Sequence, residues 1–171
     1  INNANPGDII FVRSNIYFEN LLINTKDLTL IGQNKENTII DGNIRLKDHA
    51  INIQSDNCTV KNFTIQNGWF RNEMYWDLSG IRINGSNSKI ISNIIKDNRL
   101  GICTMSKTYN HSIKDNIFLN DGILFANYVY NFHMTIDDFI HDIKNNTVNS
   151  KPLYYFINKN NFTVPEDAGQ I

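Results

Sequence analysis

Proline, alanine and cysteine are scarce in these 171 residues: three prolines, four alanines and two cysteines. A helical solenoid needs apolar residues recurring every 3.6 positions, and the chain does not show that period. Cys58 and Cys103 are too few and too isolated to define a disulfide framework or a zinc site, and read as two buried apolar thiols. An excess of charge is also missing. Sixteen basic and 17 acidic side chains leave a net charge of -1, which argues against a general attraction to nucleic acid or an anionic membrane. There is no 18-residue apolar run and no basic-then-apolar amino terminus, so neither a membrane span nor a signal peptide is expected within these residues.

Ile and Asn are abundant, together about a third of the chain, a bias toward β-branched strands joined by Asn-containing turns. Asp27 to Gly42, D-L-T-L-I-G-Q-N-K-E-N-T-I-I-D-G, sets the theme with two short apolar runs, a polar turn and a closing Asp41-Gly42. Pro6-Gly7 marks a turn, and Ile9 to Val12, Ile16 to Phe18, Leu21 to Ile23, Leu28 to Ile31 and Thr38 to Ile40 read as strands. None of these runs reaches helix length.

The fragments Lys89 to Asn98, Ser112 to Asp121 and Asp142 to Ser150 share one pattern. Ile90, Ile113 and Ile143 anchor it, each followed three residues later by Asn93, Asn116 and Asn146. Val60 and Leu30 extend the series backwards, so separations from Leu30 are 30, 30, 23 and 30 residues. A second series, Ile51/Ile53, Ile81/Ile83, Ile102 and Leu124, precedes the first by a similar distance in each repeat. Such periods mark a repeat architecture. If each repeat is one coil of three short strands, equivalent residues stack about 4.8 Å apart up parallel sheets, and inward aliphatic side chains form columns. Asn at matching turns can then stack as a hydrogen-bonded ladder. A minimum coil of about 23 residues with insertions of six or seven fits the spacing.

The opening P-G-D-I-I-F-V-R-S-N-I-Y-F-E-N-L-L-I-N-T-K-D-L-T-L-I-G-Q-N-K-E-N-T-I-I-D-G resembles the start of the NosD-like proteins, the carbohydrate-binding and sugar-hydrolysis (CASH) repeat family. The closing N-N-T-V-N-S-K-P-L-Y-Y-F-I-N-K-N-N-F-T-V-P-E-D-A-G-Q-I is similar to a segment of archaeal cell-surface β-helix proteins. The similarity covers nearly the whole chain. It implies an all-β, right-handed parallel β-helix, a pectate-lyase-like solenoid of about five to six coils of about 22–30 residues. One domain is expected over residues 1–171, with loop insertions near 69–79 and 126–140. The resemblance also implies truncation at both ends, with further coils, another subunit or end-to-end self-association covering the exposed column ends.

Candidate chemistry lies in the interruptions. Trp69, Arg71, Glu73, Tyr75, Trp76 and Asp77 form the densest aromatic cluster, and rings beside charged groups are what a sugar-binding surface requires. The structural alternative is a loop covering the solenoid wall. The second interruption, Ala126 to Ile140, carries Tyr128, Tyr130, His133, Asp137 and Asp138, with His141 and Asp142 beyond. Asp137, Asp138 and His141 are candidates for general acid–base work or for holding calcium. Neighbours on a strand face opposite ways, however, so the two carboxylates need not converge. Sugar-cleaving β-helix enzymes carry fuller sets of acids; here Arg82 in G-I-R-I-N-G resembles one such element in passing, and Asp97 and Asp121 fit turn positions better than catalytic ones. The NosD resemblance adds copper-enzyme maturation as an alternative, with Cys58, Cys103, Met105, Met134, His49, His111, His133 and His141 as soft ligands.

Six Asn-x-Ser/Thr sequons, at Asn57, Asn62, Asn84, Asn110, Asn145 and Asn161, suit a glycosylated surface protein. The expectation is a secreted or cell-surface module, periplasmic if the source is Gram-negative, that is non-enzymatic and carbohydrate-binding, adhesin-like or structural. A polysaccharide or cell-surface glycan is the expected partner, and nucleic acid is not. A polysaccharide lyase or glycoside hydrolase is the enzymatic alternative. No cofactor is expected apart from calcium in the acidic loop.

Overall fold

The structure, a computed structural model, describes residues 1–42, 48–68, 78–127 and 134–171. Short β-branched runs between turn residues give strands of two to four residues in sets of three. The first coil holds β1 (Ile9–Val12), β2 (Asn15–Phe18) and β3 (Leu21–Ile23), and the second β4 (Thr29–Gly32), β5 (Thr38–Asp41) and β6 (Ile51–Ile53). The third has β7 (Thr59–Lys61), β8 (Thr64–Gln66) and β9 (Ile81–Ile83), and the fourth β10 (Lys89–Ile91), β11 (Ile94–Lys96) and β12 (Ile102–Met105). The fifth comprises β13 (Ser112–Lys114), β14 (Ile117–Leu119) and β15 (Ile123–Ala126). After a 3₁₀ turn at Ile136–Phe139, β16 (Asp142–Lys144) and β17 (Thr147–Val148) begin a sixth coil, which folds back as β18 (Lys151–Pro152), antiparallel to β17.

Equivalent strands stack in parallel into three sheets. Sheet A runs β1-β4-β7-β10-β13-β16, sheet B β2-β5-β8-β11-β14-β17 with β18 at its edge, and sheet C β3-β6-β9-β12-β15. The chain is a right-handed parallel β-helix, as its repeats and family resemblance imply. Leu30, Val60, Ile90, Ile113 and Ile143 share one register position, so the 30-30-23-30 spacing is the set of coil lengths. Ile10 opposite Leu30 adds an earlier coil of 20 residues, shorter than the expected minimum. One register assignment is corrected. Ile51, Ile81 and Ile102 continue to Ile123, while Leu124 pairs with Cys103. Ile123 is 8% exposed and Leu124 36%, since a one-residue slip on a strand turns a side chain outward.

The inward columns make one continuous core, in which Ile51, Ile53, Val60, Ile65, Ile81, Ile83, Ile90, Ile95, Ile102 and Ile113 are fully buried. Each buried aliphatic side chain contributes about 1.5–3 kcal/mol. Corners explain the Asn content. Asn62, Ser92, Asp115 and Asn145, between sheets A and B, have φ of 63, 56, 56 and 56°, and Asp27, Asn57, Asn87 and Asn110, before sheet A, have 61, 60, 57 and 57°. Among non-glycine residues, Asn and Asp best tolerate this left-handed conformation. Gly32 serves a different need: a Cβ there would lie 2.0 Å from the Asn62 carbonyl oxygen of the next coil.

Directly after the A–B corner, Asn93, Asn116 and Asn146 form the expected ladder. Asn93 Nδ2 donates to Asn116 Oδ1 (3.1 Å), and Asn116 Nδ2 to Asn146 Oδ1 (3.0 Å). Their amides also donate to the carbonyls of Val60, Ile90 and Ile113. At the far end of sheet C, Gln170 Oε1 accepts from Ile123 N–H (3.0 Å) and its Nε2 donates to Ile123 C=O (2.7 Å). The side-chain amide thus replaces the next strand's peptide.

Candidate functional site

Arg82 lies between Ile81 and Ile83, both fully buried, so strand alternation directs it out of sheet C. Register stacks Leu22, Asn52, Arg82, Cys103 and Leu124 along that outer face. Arg82 Nε donates to Asn84 Oδ1 (3.3 Å), and Asn84 Nδ2 to Asn52 Oδ1 (3.0 Å). On the other side Arg82 Nη1 meets His49 Nε2 at 3.3 Å, while His49 Nδ1 lies 2.9 Å from Ser79 Oγ and 3.2 Å from Ser79 N. Ser79 N–H donates to His49 Nδ1, which therefore carries no proton of its own in the neutral ring. The result is one polar chain, Asn52–Asn84–Arg82–His49–Ser79, across two coils. A Ser–His contact of this length matches a nucleophile with its base. Here the hydroxyl is fully buried, which fits a role in holding the His49 ring beside Arg82.

Trp69, Arg71, Glu73, Tyr75, Trp76 and Asp77 lie outside the described residues, as do Tyr128, Tyr130 and His133. In sequence, residues 69–77 lead through Leu78 to Ser79 and so into the strand that carries Arg82.

Asp137, Asp138 and His141 are described, and they do not assemble into an acid–base site. Asp137 is exposed on the 3₁₀ turn. Asp138 is buried, and its carboxylate accepts from Lys107 N–H, Thr135 N–H and Thr135 Oγ. Burial alone would raise its pKa, but these donors outweigh burial and hold it below the ordinary carboxylate range. His141 reaches Asp138 through the backbone carbonyl: Nε2 donates to Asp138 O (3.0 Å), and Nδ1 accepts His111 N–H (3.2 Å). His111 repeats the device, with Nδ1 accepting Ser88 N–H (3.3 Å) and Nε2 2.9 Å from Thr108 Oγ1. The two rings stack at 4.7 Å. Burial, and then the His141 ring, push His111 down to about 3; burial also lowers His141.

Asp142 forms ion pairs with Lys114 and Lys144. Asp97 occupies a left-handed corner position (φ 56°), whereas Asp121 is buried and accepts Asn98 N–H (3.2 Å) and Asn98 Nδ2 (2.8 Å). Burial pushes Asp121 up to about 6. Among the soft ligands, Cys58 is buried with its thiol raised by burial and directed at the Thr25 carbonyl (3.4 Å), and Cys103 is buried on the outer side of sheet C. Among the described residues no three His, Cys, Asp or Glu side chains converge as a metal site, and no helix is long and apolar enough to cross a membrane.

Neither a family model nor a curated protein matches the chain. Its likeness is to solved structures. A pectin methylesterase from Yersinia enterocolitica superposes with a TM-score of 0.54 at 15% identity, over 67% of this chain and 45% of that one. A pectin methylesterase in complex with a hexasaccharide gives 0.46 at 12% identity, over 71% and 47%. The chain therefore spans less than half the length of either. At this identity the first likeness is one of fold alone.

Sequence reasoning singled out Arg82 and His49 separately and missed Ser79, Asn84 and Asn52 as their partners. Contacts such as His49 to Ser79 and Asn52 to Asn84 cross about one coil, yet the paired residue types differ from coil to coil and leave no periodic signal. The coil register, applied to outward positions, could have found them.

Proposed function

We propose that this chain is a cell-surface or secreted β-helix module that binds polysaccharide across the outer face of sheet C without cleaving it. The carrying observation is the outward array Arg82–Asn84–Asn52, whose guanidinium and amides offer the mixed donors and acceptors that sugar hydroxyls require. The aromatic residues Trp69, Tyr75 and Trp76, with Arg71, Glu73 and Asp77, complete the binding set in this reading. Glycoside cleavage takes two carboxyl groups about 5–9.5 Å apart. Among the described outward strand positions, sheet A offers Asp142, sheet B Asp41 and sheet C none. Asp142 is held by lysines, and Asp41 accepts from Gln66 and Asn67. The pectin methylesterase likeness is consistent with a polysaccharide partner.

A second reading, a polysaccharide-modifying enzyme, draws on the Ser79–His49 contact, and the full burial of Ser79 weighs against it. Membership of the NosD-like family, with copper-enzyme maturation, is a third. The rings of His111 and His141, committed to backbone and hydroxyl partners, give it little support.

The test is a pull-down on insoluble polysaccharides with mass spectrometry of the supernatant, for the native chain, Arg82→Ala and the pair Trp69→Ala/Trp76→Ala. Retention without products is expected, falling at least about tenfold in Arg82→Ala, the scale of a lost charged hydrogen bond. Released oligosaccharides, or retention unchanged in both variants, would overturn the proposal.

A further inference from the structure

At the corner where the chain leaves sheet C for the next strand of sheet A, most buried polar groups are committed. Thr108 Oγ1 donates to Met105 O (2.6 Å), and the hydrogen bonds of His111, Asp138 and His141 are those given above. The outside of that corner differs. Tyr109, Asn110, Asp137 and Ile140 border an open depression of about 300 Å³. Among the described residues, the Tyr109 hydroxyl, the Asn110 amide and the Asp137 carboxylate have no hydrogen-bond or ion-pair partner. Tyr109 is 38% exposed and Ile140 44%.

The backbone around the depression is held in place. Tyr109 N–H donates to Ser86 Oγ (3.2 Å), and Asn87 N–H to Tyr109 O (2.8 Å). Asn110 N–H donates to Ile140 O (3.3 Å), and Ile140 N–H to Asp137 O (3.2 Å). The shape is therefore preformed, which lowers the ordering cost of binding.

We propose that this depression is a second saccharide site that takes one neutral hexose unit. An aromatic ring and an aliphatic side chain suit the C–H face of a pyranose. The carboxylate accepts from two hydroxyls, and the amide both donates and accepts. The volume lies at the low end of ligand sites, about 300–1,000 Å³, enough for a single sugar ring. The Asp137 charge repels a uronate, so selectivity runs toward neutral sugars. The site is separate from the outer face of sheet C and stands or falls apart from it.

The test is an amide-resolved NMR titration of the chain with cellohexaose, mannohexaose, maltohexaose and hexagalacturonate. Shifts at Tyr109, Asn110, Asp137 and Ile140 report this corner, and shifts at Asn52, Arg82 and Asn84 report sheet C. At least one neutral hexaose is expected to shift the corner amides saturably and more tightly than hexagalacturonate. Tyr109→Ala should weaken that binding about tenfold. Asp137→Asn should weaken the neutral sugar and narrow the discrimination against hexagalacturonate. Both positions are exposed, so the remaining amide spectrum should persist and show that the variants fold. The proposal is overturned if no neutral hexaose shifts the corner amides, if hexagalacturonate binds there more tightly, or if Tyr109→Ala leaves the affinity unchanged.

Discussion

Asn146 Oδ1 accepts two hydrogen bonds from Asn116 in the preceding coil, one from its peptide N–H and one from its Nδ2, each at 3.0 Å. The same arrangement joins Asn93 to Asn116 at 3.0 and 3.1 Å. Asn116 and Asn146 therefore each hold the backbone of the coil before them as well as the Asn side chain there, while Asn93 accepts Phe63 N–H in the same way.

Replacing the middle rung should be severe. Asn116→Ala leaves Asn93 N–H and the Ile90 carbonyl without their side-chain partner in a fully packed corner, and leaves Asn146 Oδ1 with the peptide N–H alone. Unsatisfied buried groups cost about 1–3 kcal/mol each, so a loss of about 3 kcal/mol or more is expected in chemical denaturation. A loss below about 1 kcal/mol would mean that water replaces the amide.

Such ladders made the fold legible before any coordinates. A left-handed corner favours Asn, Asp or Ser, and from the fourth coil onward the next position carries an amide, so the chemistry printed a period into Asn93, Asn116 and Asn146. The same corners account for four of the six sequons, Asn57, Asn62, Asn110 and Asn145, all with positive φ. Less was legible where one strand position carries different chemistry in each coil, as with Asn52, Arg82 and Cys103 on one column. The Leu124 misassignment has a related cause, because Ile123 and Leu124 are both aliphatic and only contact with Cys103 or Ile102 separates them.

Acid should loosen the His111–His141 corner. His111 titrates near 6.5 when unfolded and near 3 when folded, so between those values the unfolded chain takes up a proton that the folded chain does not. Stability should fall as pH drops from about 6.5 toward 3. His111→Asn, which keeps an acceptor for Ser88 N–H, should flatten that part of the curve when melting temperature is followed against pH. An unchanged slope would show that other groups govern acid unfolding.

Asp121 works with the opposite sign. Its carboxyl is pushed up to about 6 from an ordinary 3.8, so the folded chain holds the proton more tightly and ionisation opposes folding as pH rises through this window. Asp121→Asn should stabilise the chain by about 1–2 kcal/mol at pH 7, with a gain that vanishes below about pH 4. Equal effects at both pH values would assign the change to hydrogen bonding alone.

Removing the Gln170 amide should expose the last strand of sheet C. Gln170→Ala leaves Ile123 N–H and C=O unpaired, at a cost of about 1–3 kcal/mol. It also opens an edge that can recruit another chain. Light scattering should show association in the variant at concentrations where the native chain does not associate.

The shortest full repeat after the first coil, the 23-residue step from Ile90 to Ile113, meets both neighbours through the same register, with Asn93 Oδ1 taking Phe63 N–H on one side and its Nδ2 reaching Asn116 on the other. Translation by one coil maps most of its contacts onto their counterparts, so copying the segment in frame introduces a junction the solenoid already contains. Length is then a variable that gene duplication can change in whole steps, each adding about 4.8 Å to the axis without redesigning a core.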